Sequence, residues 1–225
     1  MGFLDRLFGK TTTTTTEETV NMTKTAIVYY SMGGTNYQLA QWAAEAAKEA
    51  GSEVKVIKAP ETAPQAAIDS NPVWKAHVEA TKDVPVATPE DLAWADAIIF
   101  SVPTRFGNMP GQMKNFFDTT GGLWAQGKLA NKAVSAMSSA QNPHGGQEAT
   151  ILSLYTTMYH WGAIVAAPGY TDAVAFAAGG NPYGTSVTVG QDGKMADDEA
   201  AIKAAVHHQA KRTVQVAEAL KNLNA

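Results

Sequence analysis

Thr25–Asn36, TAIVYYSMGGTN, constrains this chain more than any other stretch. Ala26 to Tyr30 run apolar or aromatic without a charge, then stop at Ser31-Met32-Gly33-Gly34-Thr35-Asn36. An alanine-rich helical pattern follows at once. A short continuous apolar run predicts a strand buried on both faces. Two glycines let the backbone turn sharply and approach a ligand. Ser31, Thr35 and Asn36 add polar side chains where the next helix begins, and a helix N-terminus offers free N–H groups to an anion. The stretch therefore predicts a phosphate cradle at the carboxyl end of a central strand.

The same grammar repeats. A helix over about Asn36–Ala50 has an apolar stripe of Leu39, Trp42, Ala43, Ala46, Ala47 and Ala50, with Gly51 as its stop. Glu53–Lys58 predicts a second strand. Pro60–Pro85 is a long connection with one helical turn near Val73–Ala80, and long connections are commonly functional or oligomer-forming. Thr88-Pro89-Glu90-Asp91 starts a short helix ending near Trp94. Asp96–Val102 is the third strand and Gly111–Thr120 a helix, followed by a glycine-rich loop, Gly121–Trp124. Lys132–Ser138 is strand four, Glu148–Trp161 a helix and Ala163–Ala167 strand five. Pro168–Lys194 predicts at most a short strand over Thr185–Val189, and Asp197–Asn222 is the last helix. This alternation predicts an α/β, doubly wound, five-stranded parallel sheet of flavodoxin-like order 2-1-3-4-5, with helices on both faces. Ligands of such sheets bind at the carboxyl ends of strands 1, 3 and 4.

Composition narrows the chemistry. With 225 residues the chain is long enough for one large domain with a proper core. There is no cysteine, which excludes disulfides, thiol nucleophiles and cysteine-held metals. A net charge of −4, from 17 Lys and Arg against 21 Asp and Glu, does not favour nucleic acid as the partner. No apolar stretch approaches a transmembrane span and no signal sequence is visible, so the expected compartment is the cytoplasm. Residues 1–23 read as a tail ahead of a domain over 24–225. Within it, Met1–Lys10 gathers Phe3, Leu4, Leu7 and Phe8 on one helical face, a pattern shared by frayed termini and membrane-surface helices. Thr11–Thr16 is a low-complexity linker. No G-x-G-x-x-G follows a strand and no G-x-S-x-G elbow exists, against dinucleotide-Rossmann and α/β-hydrolase readings. The five histidines show no metal spacing.

Two further loops carry the chemistry. Pro103-Thr104-Arg105-Phe106-Gly107-Asn108 places a hydroxyl, a cation, an aromatic and an amide at one strand end. A planar, electron-rich ring needs such partners: an apolar wall, donors to its polar edge and a positive charge when it is reduced. The competing reading pairs Arg105 with an acid and buries Phe106 in the core. The loop after strand four, Ser139–Gln147, is suited to the opposite edge of such a ring.

YYS with Gly34, then PTRFGNM, GGLW, SSAQN…GGQE, TTMYHWG and GGNPYG together resemble the WrbA-type flavodoxin-like NAD(P)H:quinone oxidoreductases over nearly the whole chain after residue 23. The resemblance implies non-covalent FMN in a homotetramer that reduces quinones with NADH or NADPH. It assigns Ser31, Met32, Gly33, Gly34, Thr35 and Asn36 to the phosphate, and Thr104, Arg105, Phe106, Gly107 and Asn108 to the ring. Ser139, Ala140, Gln141, Asn142 and Gly145 follow from the strand-4 loop. His160 matches a histidine of the flavin site, and with Arg105 it is the expected catalytic residue. Trp124 and Phe106 are the expected substrate contacts. Gly33 stands where several members of the family carry Tyr, and AQNPHGG is one residue longer than the common loop. A flavodoxin-type electron carrier is the alternative.

Overall fold

A computed structural model describes residues 22–223, so the apolar pattern of Met1–Lys10, read as a frayed terminus or a surface helix, and the threonine linker lie outside the described residues. In chain order the elements are β1 (Lys24–Tyr29), α1 (Thr35–Glu49), β2 (Glu53–Lys58), α2 (Gln65–Asp69), α3 (Pro72–Ala80), α4 (Pro89–Trp94) and β3 (Ala97–Pro103). They continue as α5 (Gly111–Asp118), α6 (Gly121–Ala125), β4 (Ala133–Ala140), α7 (Gln147–Trp161), β5 (Ile164–Val165), α8 (Val174–Ala177), β6 (Ser186–Thr188) and α9 (Glu199–Leu220). The sheet is parallel with order β2-β1-β3-β4-β5, as the alternation of the sequence predicts.

Successive residues of the buried strands point to opposite faces, and this parity divides the core. Ala26, Val28, Ile98, Phe100 and Ala136 pack with Leu92 of α4, Phe116 and Phe117 of α5 and Leu154 of α7. Ile27, Tyr29, Ile99 and Met137 pack with Leu39 and Ala43 of α1 and Val206 of α9. Trp161 closes the first layer edge-on against Phe100 and Phe117. No helix among the described residues is long and apolar enough to cross a membrane.

Three segments depart from the sequence expectation. Gly121–Trp124, read as a loop, is the start of the one-turn helix α6. The Pro60–Pro85 connection holds two helices, and α3 is capped by Asn71, whose Oδ1 accepts from the N–H groups of Val73 and Trp74, with Pro72 at its first position. The expected strand five and the expected short strand over Thr185–Val189 are both present, but they share one side of β4: β5 pairs with Ala133–Val134, and β6 with Ser138–Ala140. Residues 166–185 leave the lane and return.

Ala136 faces the gap, and side chains replace the missing strand. Its N–H donates to Tyr155 Oη (3.1 Å), which donates to the Tyr183 carbonyl (2.6 Å). Gln209 Nε2 donates to the Ala136 carbonyl (2.9 Å), while Gln209 Oε1 accepts from Thr185 N–H and Oγ1 (2.8 and 2.9 Å). Buried backbone groups need such partners. Burial keeps the Tyr155 phenol well above the usual tyrosine range, hence neutral.

Candidate active site

The carboxyl ends of β1, β3, β4 and β6 enclose a cleft of about 550 Å³. Its first wall is the loop after β1. Gly34 takes φ +99° as the N-cap of α1, a left-handed conformation that suits glycine. Its N–H turns back to Ser31 Oγ (2.9 Å). No side chain caps α1, so the first helical N–H groups face the cleft without an intrahelical acceptor. Asn36 is buried and works as a tether: its Nδ2 donates to Ser139 Oγ (2.7 Å), and its carbonyl accepts from Ser101 Oγ (3.0 Å). That tie fixes the start of α1 against β3 and β4.

The loop after β3 is a tight two-residue turn. Arg105 N–H donates to the Asn108 carbonyl (2.7 Å) and Asn108 N–H to the Arg105 carbonyl (3.0 Å). Phe106 and Gly107 both take positive φ, 53° and 75°. Such a turn favours Asn-Gly, and Phe106 occupies it with its ring fully exposed at 105%. The Thr104 hydroxyl is engaged by Gly107 N–H (3.1 Å) and Thr150 Oγ1 (2.8 Å). Gly107 lies flat against Gly146, where a Cβ would stand 2.8 Å from the Gly107 Cα. This is why the strand-3 and strand-4 loops close on one another.

Arg105 donates to the Thr104 carbonyl (2.9 Å) and to the Met32 sulfur, and has no carboxylate partner among the described residues. Among the described residues it is the single cation lining the cleft and Asp192 the single carboxylate. The competing reading, in which Arg105 pairs with an acid and Phe106 is buried in the core, is thereby set aside.

Ser31, Met32, Gly33, Thr35, Asn36, Thr104, Arg105, Ser139, Ala140, Gln141, Asn142 and Gly145 line the cleft together. Gly34, Gly107 and Asn108 shape the loops without lining it, and Phe106 projects at its rim into solvent. His160 and Trp124 stand apart. Helix α7 starts at the cleft, and His160 is thirteen residues further (160 − 147), ~20 Å away at the α-helical rise. There the His160 carbonyl accepts from Trp124 Nε1 (2.8 Å), and both residues are exposed. Two groups of lining residues escaped the sequence reading: Asn71, Val73 and Trp74 around the start of α3, and the turn Val189–Gly193 after β6. The signal for the first was present. Asn71-Pro72 is the same cap-then-proline start as Thr88-Pro89.

A cleft at the switch point of a 2-1-3-4-5 sheet, with an uncapped helix start and no glycine fingerprint for a dinucleotide, defines a mononucleotide-binding protein of flavodoxin-like fold. The family described as NADPH-dependent FMN reductase matches residues 23–177, and the chain belongs to it. It is 56% identical over 193 residues to a Deinococcus radiodurans protein named NAD(P)H dehydrogenase (quinone), covering 86% of this chain and 94% of that one. A protein of the same name from Aromatoleum aromaticum is 40% identical, with 88% and 97% covered. Among solved structures, a WrbA-like flavodoxin from Agrobacterium tumefaciens superimposes with a TM-score of 0.55 at 17% identity, covering 89% of this chain and 98% of that one. An archaeal flavodoxin gives 0.53 at 17%, with 88% and 99% covered.

Proposed function

We propose that this chain is an FMN-dependent oxidoreductase that reduces quinones with NADH or NADPH. The observation that carries the reading is the pairing of an uncapped helix start with an uncompensated arginine across one cleft. The donor set fits FMN. Ser31, Thr35 and the α1 N–H groups suit a phosphate without any cation, as a helix N-terminus does. Backbone and amides of Ser139–Gly145 suit the polar edge of a ring, with Asn36 and Ser139 holding the two loops in register. FMN, when bound, would supply the redox chemistry, carrying the two electrons and one proton of a hydride from NAD(P)H to a quinone, with the second proton from solvent. The protein's own part is positional and electrostatic: Arg105 offsets negative charge gained on reduction, and the open rim at Phe106 admits flat substrates one after the other. That shared entry supports ping-pong kinetics. An absorption spectrum tests the whole reading. The purified protein is expected to be yellow, to bleach with NAD(P)H and to recover with benzoquinone. A holoprotein that does not bleach would instead be an electron carrier.

His160 and Trp124 enter this reading only through a second copy. Trp124, Tyr159 and Ile164 leave apolar side chains exposed around the end of α7, and we assign that face to a homotetramer in which it borders a neighbour's cleft. Full activity from a sedimenting monomer would exclude this role. We take the enzyme to work in the cytoplasm.

Phe106 is the clearest case of stability surrendered at this site. A bulky residue in left-handed backbone costs about 1–2 kcal/mol, and its ring recovers nothing by burial in the protomer. Phe106→Asn is expected to stabilise the fold by about 1 kcal/mol, since Asn tolerates this conformation, and to raise KM for quinone severalfold. Urea denaturation and steady-state kinetics on the same preparation check both signs.

A further inference from the structure

We propose that the indole N–H of Trp74 is a phosphate ligand of the mononucleotide, supplied by the α3 insertion rather than by the loop after β1. The proposal rests on the FMN reading above. Trp74 lines the cleft, is only 9% exposed, and its Nε1 is buried with no hydrogen-bond partner. A buried donor left unpaired is costly, and an indole nitrogen can only donate. On this proposal its missing partner is an acceptor entering the cleft that Trp74 lines.

The position of α3 says which end of the ligand carries that acceptor. Val73 Cγ1 sits 3.7 Å from where a Cβ on Gly33 would be, and His77 Nδ1 sits 3.7 Å from the corresponding point on Gly34. His77 also packs against Tyr37 of α1, ring centroids 5.8 Å apart. Helix α3 thus lies over the glycine turn and the first turn of α1. Asn71 holds Trp74 in place through the backbone, its Oδ1 accepting the Trp74 N–H at 3.1 Å. Burial, with Lys58 nearby, keeps His77 below the usual histidine range, so it adds no cation at neutral pH. In a cradle of neutral donors, one more N–H directed at an anionic oxygen is a charge-assisted bond. The space beside Gly33 is accordingly roofed by Val73 and Trp74 from another element.

Trp74→Phe keeps a ring and removes the donor. Dissociation constants for FMN and for riboflavin, which lacks the phosphate, are measured by flavin fluorescence in wild type and variant. The FMN constant is expected to rise roughly tenfold, with the riboflavin constant changed less than about twofold. An unchanged FMN constant overturns the proposal, and so does equal weakening of both flavins, which would mark a shape effect. If the variant does not fold, the indole N–H resonance of Trp74 in the wild type decides. It is expected to move downfield on adding FMN and not on adding riboflavin, and no FMN-specific shift overturns the proposal. A wild-type protein that binds no FMN overturns this proposal together with the reading beneath it, whereas binding without these effects overturns the Trp74 role alone.

Discussion

Arg105→Ala is expected to retain FMN and to lose most of its rate. Arg105 is held by the Thr104 carbonyl and the Met32 sulfur, neither of which carries charge. Its own charge is therefore not spent on a neighbouring carboxylate. An attraction of about 2 kcal/mol between opposite charges near a partly exposed surface corresponds to a fall of roughly 40 mV in the two-electron midpoint potential. The same energy lost from the reductive step slows it roughly thirtyfold. Redox titration and stopped-flow reduction by NADPH measure the two quantities separately. Arg105→Lys should recover much of the potential, because charge rather than fork geometry is invoked. A midpoint potential and rate unchanged in Arg105→Ala, with FMN bound, would remove the residue from the catalytic account.

The largest effect on stability belongs to a glycine outside the cleft. A Cβ on Gly184 would stand 1.9 Å from the Ala136 carbonyl oxygen, backbone against backbone. No rotamer relieves that contact, so the returning segment has to move outward by more than 1 Å. Such a shift strips acceptors and donors from Tyr155 and Gln209, which are buried on either side. Gly184→Ala is expected to cost about 3 kcal/mol, a drop in Tm of roughly 10 °C for a domain of this size. Gly121→Ala is the control. It meets nothing within 4 Å, it lies in α6, and its Tm should stay within 2 °C of wild type. A Gly184→Ala protein melting like that control would show that the gap beside Ala136 can open without loss.

The sequence announces the fold where strands are buried on both faces. Ala26–Tyr30 and, past their first charged residues, Asp96–Val102 and Lys132–Ser138 are continuous apolar or small-residue runs because helices cover both sides, and each is a strand in the structure with its ends moved by a residue or two. Both pieces of the fifth lane were legible, as short strands over Ala163–Ala167 and Thr185–Val189, but that they share one side of β4 was not, since nothing local links strands separated by residues 166–185. The site was legible at the ends of β1, β3 and β4, where glycines and polar residues interrupt the runs. The start of α3 at Asn71-Pro72 carried a local signal, but its position over the cleft did not, because nothing local links Pro60–Pro85 to Gly33. His160 illustrates a different limit. Helix arithmetic alone places it a full helix away from the loop that starts α7, so the motif match named a residue that does not line this protomer's cleft.

The divided fifth lane also bears on how the protein avoids bad company. A parallel sheet that ends in an unbroken strand offers a row of free amides and carbonyls onto which a foreign strand can add. On this side the border is two fragments, β5 and β6, and the vacancy between them is filled by Gln209 and Tyr155 rather than by extended backbone. A stray strand would find two or three rungs, then a side-chain plug, and no ladder to climb.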